Sequence, residues 1–147
     1  MTHHIILIFH LVAATIWVGG HLFLAIRILP EALKKKDASI LKNFKSKFEP
    51  VGMPSLLVLL VTGILMAYHY DVTFTKWFSF SNAIEKVISI KLILLFTTVL
   101  MAACAETLIF PKLKSERMFP AAFFIITVTT IAVTMLILGS LIRIGGL

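Results

Sequence analysis

Charge is what this sequence has least of. Only 14% of its 147 residues are charged, and only seven are acidic. A soluble domain is about a quarter charged and about half apolar. Here 59% of residues are hydrophobic and the mean hydropathy is +1.01. That leaves too little polar surface to cover a water-soluble globule of this length. The single cysteine, Cys104, excludes an internal disulfide and a CxxC pair. No internal repeat or low-complexity segment interrupts the chain. The N-terminal Met1-Thr2-His3-His4 has no basic region of the kind that opens a secretory signal, so the first helix is expected to remain in the mature protein.

What is present is apolar sequence in four long runs. A spanning helix needs about 20 such residues, so four spans and short loops use the whole chain as one transmembrane domain, 1–147. The first helix is expected over 4–29, stopped by Pro30, and the second over 50–70, with Pro50 and Pro54 in its first turn. The third is expected over 83–109, capped by Asn82 with Glu85 in a capping box and stopped by Pro111. The fourth is expected over 119–143, with Pro120 at its start and Gly145-Gly146 beyond it. The fold class expected is an all-α integral membrane protein, an antiparallel four-helix transmembrane bundle.

The net charge of +7 would point a soluble protein toward nucleic acid. Here most basic residues gather in two loops, so no nucleic-acid partner is expected. Lys34, Lys35, Lys36, Lys42, Lys45 and Lys47 lie between helices 1 and 2, and Lys112, Lys114 and Arg117 between helices 3 and 4. The positive-inside rule puts both loops in the cytoplasm and both termini outside. The location expected is the bacterial cytoplasmic (inner) membrane. Residues 38–49 read as a short basic helix on the inner surface. Phe74, Trp77, Phe78 and Phe80 in the outer loop read as an interfacial aromatic belt.

Ionisable residues at membrane depth are costly and mark functional sites. Depth follows from 1.5 Å per residue, taking helix centres at Ile16, Leu60, Thr97 and Ile131. His10 and Lys91 then lie about 9 Å outward of centre, and His69 about 13 Å. Arg143 ends the fourth helix on the same side. His10, Ala13, Ala14, Trp17 and His21 share one helical stripe, with alanines leaving room for something flat. The economical chemistry is haem b, with His10 and His69 as axial ligands and Trp17 against the cofactor. Lys91 or Arg143 would pair with a propionate, or Lys91 would move protons. A weaker inner group, His21, Met53, Met101, Cys104 and Glu106, suits copper(I). Plainer roles stay open: His21 bonding a neighbouring helix, His69 anchoring at the interface, Lys91 snorkelling, His3 and His4 solvated, and Glu106 pairing with a cytoplasmic lysine.

The run His10-Leu-Val-Ala-Ala-Thr-Ile-Trp17-Val-Gly19-Gly20, followed by Leu22-Phe23-Leu24, resembles the first helix of the CopD-like membrane domain. Glu85-Lys86-Val-Ile-Ser-Ile-Lys91-Leu92 resembles its third-helix motif. The layout is also similar to the HemJ-type protoporphyrinogen oxidases, four-helix haem b membrane proteins. His10 and Lys91 match their first-helix histidine and third-helix lysine. The chain departs from the HemJ pattern at Ala25-Ile26-Arg27-Ile28-Leu29-Pro30 and at Ala102-Ala103-Cys104. The resemblance implies haem, or copper handling in the CopD case.

Three functions follow. The first is a haem b electron carrier or small membrane oxidoreductase, working with a redox partner or quinone. The second is a copper-handling protein, resting on the CopD resemblance and on the Met, His and Cys residues; the candidate metal ligands across these readings are His10, His69 and His21. The third is a cofactor-free assembly subunit. The partners expected are the lipid bilayer and haem, with a second copy of the chain as a further candidate. The charge asymmetry generates a direct test. Reporters that are active only outside the cytoplasm, fused to either terminus, should be active. Activity only from cytoplasmic reporters would reverse the orientation.

Overall fold

The computed structural model describes residues 2–142 and 144, so Arg143 and Gly145-Gly146 lie outside the described residues. Five α-helices run through them: α1 (Thr2–Phe23), α2 (Leu29–Lys35), α3 (Ala38–His69), α4 (Ala83–Cys104) and α5 (Phe119–Ile142). Four continuous rods, His3–Lys35, Ala38–His69, Ala83–Lys112 and Phe119–Ile142, are long and apolar enough to cross a membrane. The protein is an all-α, four-helix transmembrane bundle. Successive rods alternate in direction. One end of the bundle carries the N-terminus, the end of α5 and the 70–82 loop. The other carries the lysine-rich turns and is called the basic end below.

The prolines do not stop the helices as expected. The first rod passes through Pro30 to Lys35, after a π-helical turn over Leu24–Ile28 in which the Leu29 N–H reaches back to the Leu24 carbonyl. The third rod repeats this: a π-turn over Ala105–Ile109, the Phe110 N–H bonded to the Ala105 carbonyl, then Pro111. A proline ring clashes with the carbonyl four residues back and cannot bond it. A wide π-turn just before the ring shifts that carbonyl and relieves the clash. In lipid, breaking the helix would strand backbone groups that water cannot reach, so the rod bends its hydrogen-bond pattern and continues. For the same reason α3 keeps Pro50 and Pro54 in its interior. The expected separate surface helix over 38–49 is therefore the first part of α3.

The cap on α4 holds in part. Asn82 Oδ1 accepts from the Glu85 N–H at 2.8 Å. Glu85 does not return to Asn82. It accepts from Ser79 Oγ at 2.6 Å and Ser81 N–H at 3.2 Å, pinning the loop to the helix. Asp37 caps α3 by accepting from the Ser39 N–H at 2.9 Å. The two basic turns are tied together by the Ala38 N–H donating to Ser115 Oγ.

Three apolar layers stack along the bundle. Leu29, Ala32, Leu41, Leu113 and Ala121 pack at the basic end. Trp17, Leu56, Leu95, Val128 and Ala132 pack across the middle. Ala67, Val72, Trp77, Ile88 and Leu92 pack at the other end. Trp77 is buried there and so leaves the expected aromatic belt, which keeps Phe74, Phe78 and Phe80 exposed. Large apolar side chains such as Ile8, Leu57, Leu100 and Phe123 cover the outside, as a lipid-facing surface requires.

The α1–α3 seam is the most extensive helix contact among the described residues, and it turns on Phe48. A Cβ at Gly20 would collide with the Phe48 ring, and one at Gly52 would lie 2.5 Å from it. Gly20→Ala should therefore lower the thermal midpoint in detergent, by an overpacking cost of about 1–3 kcal/mol. Adding Phe48→Ala should remove that clash, so the two changes together should cost less than the sum of the separate ones. Strict additivity would show that the ring does not set the seam.

Candidate functional site

Two histidines on one face of α1 mark two sites. His10 and His21 are eleven residues apart, close to three full turns, so both point into the bundle. Their Nε2 atoms lie at different depths, about 16 Å apart along the helix axis.

His10 is level with Thr62 of α3, seven residues short of that helix's C-terminal end. Its Nδ1 lies 2.8 Å from Thr62 Oγ1. The Thr62 hydroxyl donates its own proton to the Val58 carbonyl at 2.5 Å, so toward the ring it acts as acceptor. Nδ1 of the neutral imidazole thus carries the proton, and Nε2 keeps its lone pair with no hydrogen-bond partner among the described residues. An orienting bond on one ring nitrogen with the other left basic is the arrangement of a metal-ligating histidine. It also serves a buried histidine that simply joins two helices.

Lys91 reaches the same layer from α4. A Cβ on Gly139 would lie 3.3 Å from Lys91 Nζ, so the glycine on α5 makes room for the ammonium. A Cβ on Gly63 would lie 3.7 Å from His10 Cε1. Lys91 takes part in none of the ion pairs found among the described residues, Lys35–Glu31, Lys45–Glu49 and Lys45–Glu106. The layer therefore holds an imidazole, a hydroxyl and an unpaired cation between two glycines.

His69 is not in this layer. Its ring stacks on His3, with centroids 3.8 Å apart and planes 15° from parallel. His69 is seven residues past Thr62 on α3, about 10 Å further toward the helix end. The structure brings His69 onto His3, which was expected to be solvated, and does not set it opposite His10. Trp17 lies in the central apolar layer, two turns below His10, against His21. Arg143, the other expected cation, is outside the described residues.

His21 belongs to a cavity of about 110 Å³ at the basic end. Its Nδ1 donates to the Trp17 carbonyl at 2.8 Å. A carbonyl can only accept, so Nε2 again keeps the lone pair. The imidazole sits between Trp17, at 4.3 Å, and the edge of Phe48, at 5.8 Å. Met53, Met101 and Glu106 of the expected inner group line the same cavity, but Cys104 does not. Glu106 pairs with Lys45 at 2.8 Å, as one sequence reading had it. Among the described residues, no three of His, Cys, Asp and Glu gather as a metal-holding group. The cavity was missed in the sequence because its walls include Phe44 and Phe48, read there as part of a surface helix.

Lys91 is a stability liability where it stands. A cation in an apolar span costs up to roughly 2.5–3.5 kcal/mol on insertion scales, the figure for the membrane centre, and no carboxylate among the described residues pairs with Lys91. Lys91→Met keeps the length and removes the charge, so the variant should insert normally and resist unfolding better than the parent. A lower unfolding midpoint for this variant would mean that Lys91 supports the fold and is not held there for chemistry. Comparison with protein-family models, curated proteins and solved structures gives no match for this chain.

Proposed function

We propose that this chain is a haem b-binding integral membrane protein of the bacterial cytoplasmic membrane, acting as an electron carrier or small oxidoreductase, with His10 as iron ligand. The observation that carries the reading is the 2.8 Å contact of His10 Nδ1 with Thr62 Oγ1, whose hydroxyl in turn bonds the Val58 carbonyl. Thr62 holds Nδ1 as a donor, so the free Nε2 is the nitrogen a haem iron takes. Gly139 makes room for the Lys91 ammonium, and Lys91 supplies a positive charge for a propionate. The residues fit one axial ligand. His69, engaged with His3, does not stand as the second. Bound haem would supply one-electron chemistry, while His10 fixes its position and Lys91 offsets its acid charge.

The resemblance of the His10–Gly20 run and of Lys91 to the CopD-like and HemJ-type proteins supports the same residues. Copper handling is the second reading. It draws on His21, Met53 and Met101 sharing one cavity, and it lacks Cys104 there.

The spectrum of the purified protein separates these readings. A Soret band at one haem per chain is expected, and His10→Ala should abolish it while leaving helix content unchanged. Thr62→Val should keep haem but shift its midpoint potential, because the Nδ1–H loses its acceptor. Normal haem in His10→Ala, or a parent protein that takes up no haem, would overturn the assignment.

A further inference from the structure

The cavity around His21 is separate from the His10 layer and has its own chemistry. Trp17, Phe44, Phe48, Phe110 and Phe124 give it aromatic walls. Aromatic walls favour a flat ring, which gains offset-stacked or edge-on contacts that an acyl chain cannot make. His21 Nε2 is an acceptor without a protein partner, so an occupant with no donor leaves a desolvated nitrogen unpaired, a real cost in an apolar site. The occupant is therefore a ring that carries a hydroxyl.

The mouth is polar but balanced. Lys45 Nζ bridges Glu49 at 2.6 Å and Glu106 at 2.8 Å, and lies 5.2 Å from the Phe110 ring centroid. Beyond it lies an open basin lined by Lys42, Ser46 and Pro111. The two carboxylates use the charge of Lys45, so the cavity mouth itself is balanced, and Lys42 stands further out in the open basin. Both π-turns abut the cavity, Leu24 from the first and Ala105 from the second. Such turns recur at ligand sites, because the extra residue displaces side chains from their helical stations.

We propose that this cavity binds a neutral, lipid-soluble aromatic alcohol of the quinol class, its hydroxyl donating to His21 Nε2 and its ring held among the five aromatic side chains. The binding site does not depend on haem at His10.

Trp17 is the reporter. Trp77→Phe leaves it as the sole tryptophan, and it removes no hydrogen bond because Trp77 Nε1 makes none. This variant and its His10→Ala derivative, both in lipid nanodiscs, are titrated anaerobically with decylubiquinol while Trp17 fluorescence is read. Saturable quenching with the same midpoint is expected in both. His21→Leu should weaken binding about tenfold, the loss of one buried hydrogen bond. The dimethyl ether of the quinol, which has no donor, should bind more weakly by a similar factor. Ala102→Phe, which fills the cavity, should abolish saturation, and Met101→Phe serves if the first variant fails to fold by circular dichroism. Quenching that rises linearly with added quinol, or that ignores both His21→Leu and the filled cavity, reports partition into lipid only and overturns the proposal. Saturation in His10→Ala without haem keeps this site distinct from the one above, and saturation lost with His10 ties the two together and also overturns it.

Discussion

Backbone hydrogen bonding in a medium without water governs this structure more than any side-chain contact. A chain in lipid must satisfy each N–H and C=O internally, so a proline cannot end a helix there as it does in water. Two of the five prolines, Pro30 and Pro111, are each preceded by a five-residue π-turn and one further residue, in the same spacing on the first and third rods, which run in the same direction. Both turns lie toward the basic end. The cavity beside His21 opens where they sit. The polar architecture of that end follows from how two prolines are accommodated.

The face of α1 is the second organiser. His3, His10, Trp17 and His21 follow one another at spacings of two, two and one turns, so a single helix carries a ring to every level of the bundle. Each finds a different partner: a stacked imidazole for His3, a hydroxyl for His10, and each other for Trp17 and His21. The Trp17 carbonyl in turn accepts from His21 Nδ1. Depth, rather than residue type, decides what each group can do.

Sequence reading reached the four spans, the Asn82 cap and the His10 stripe, because apolar length and helical periodicity are local properties. It missed what depends on tertiary fit. Stop signals at Pro30 and Pro111, and a start at Pro50, were read by the rules of water, and lipid reverses their weight. His69 was placed near His10 by counting from an assumed helix centre. The α3 helix starts twelve residues earlier than that count allowed, at Ala38 instead of Pro50, so the assumed centre had no structural basis. Trp77 was assigned to the interface by its loop neighbours, yet it is buried against Val72 and Leu92, which no local pattern announces. The Gly139 seat for Lys91 left no trace in sequence, since a lone glycine near a helix end reads as a weakness.

The two polar levels are insulated from one another. Between His10 and His21 lies the layer of Trp17, Leu56, Leu95, Val128 and Ala132. The threonines that border it give their protons to backbone carbonyls: Thr98 to that of Leu94, and Thr129 to that of Ile125 at 2.7 Å and, across on α1, to that of His21 at 3.2 Å. Their protons are committed locally, so they form no relay from one imidazole to the other. A proton taken up at the Lys91 level is thus not delivered at the basic end through these side chains. The costly polar groups are thus confined to two separate layers with an apolar septum between them, and no continuous file of side-chain donors crosses it among the described residues.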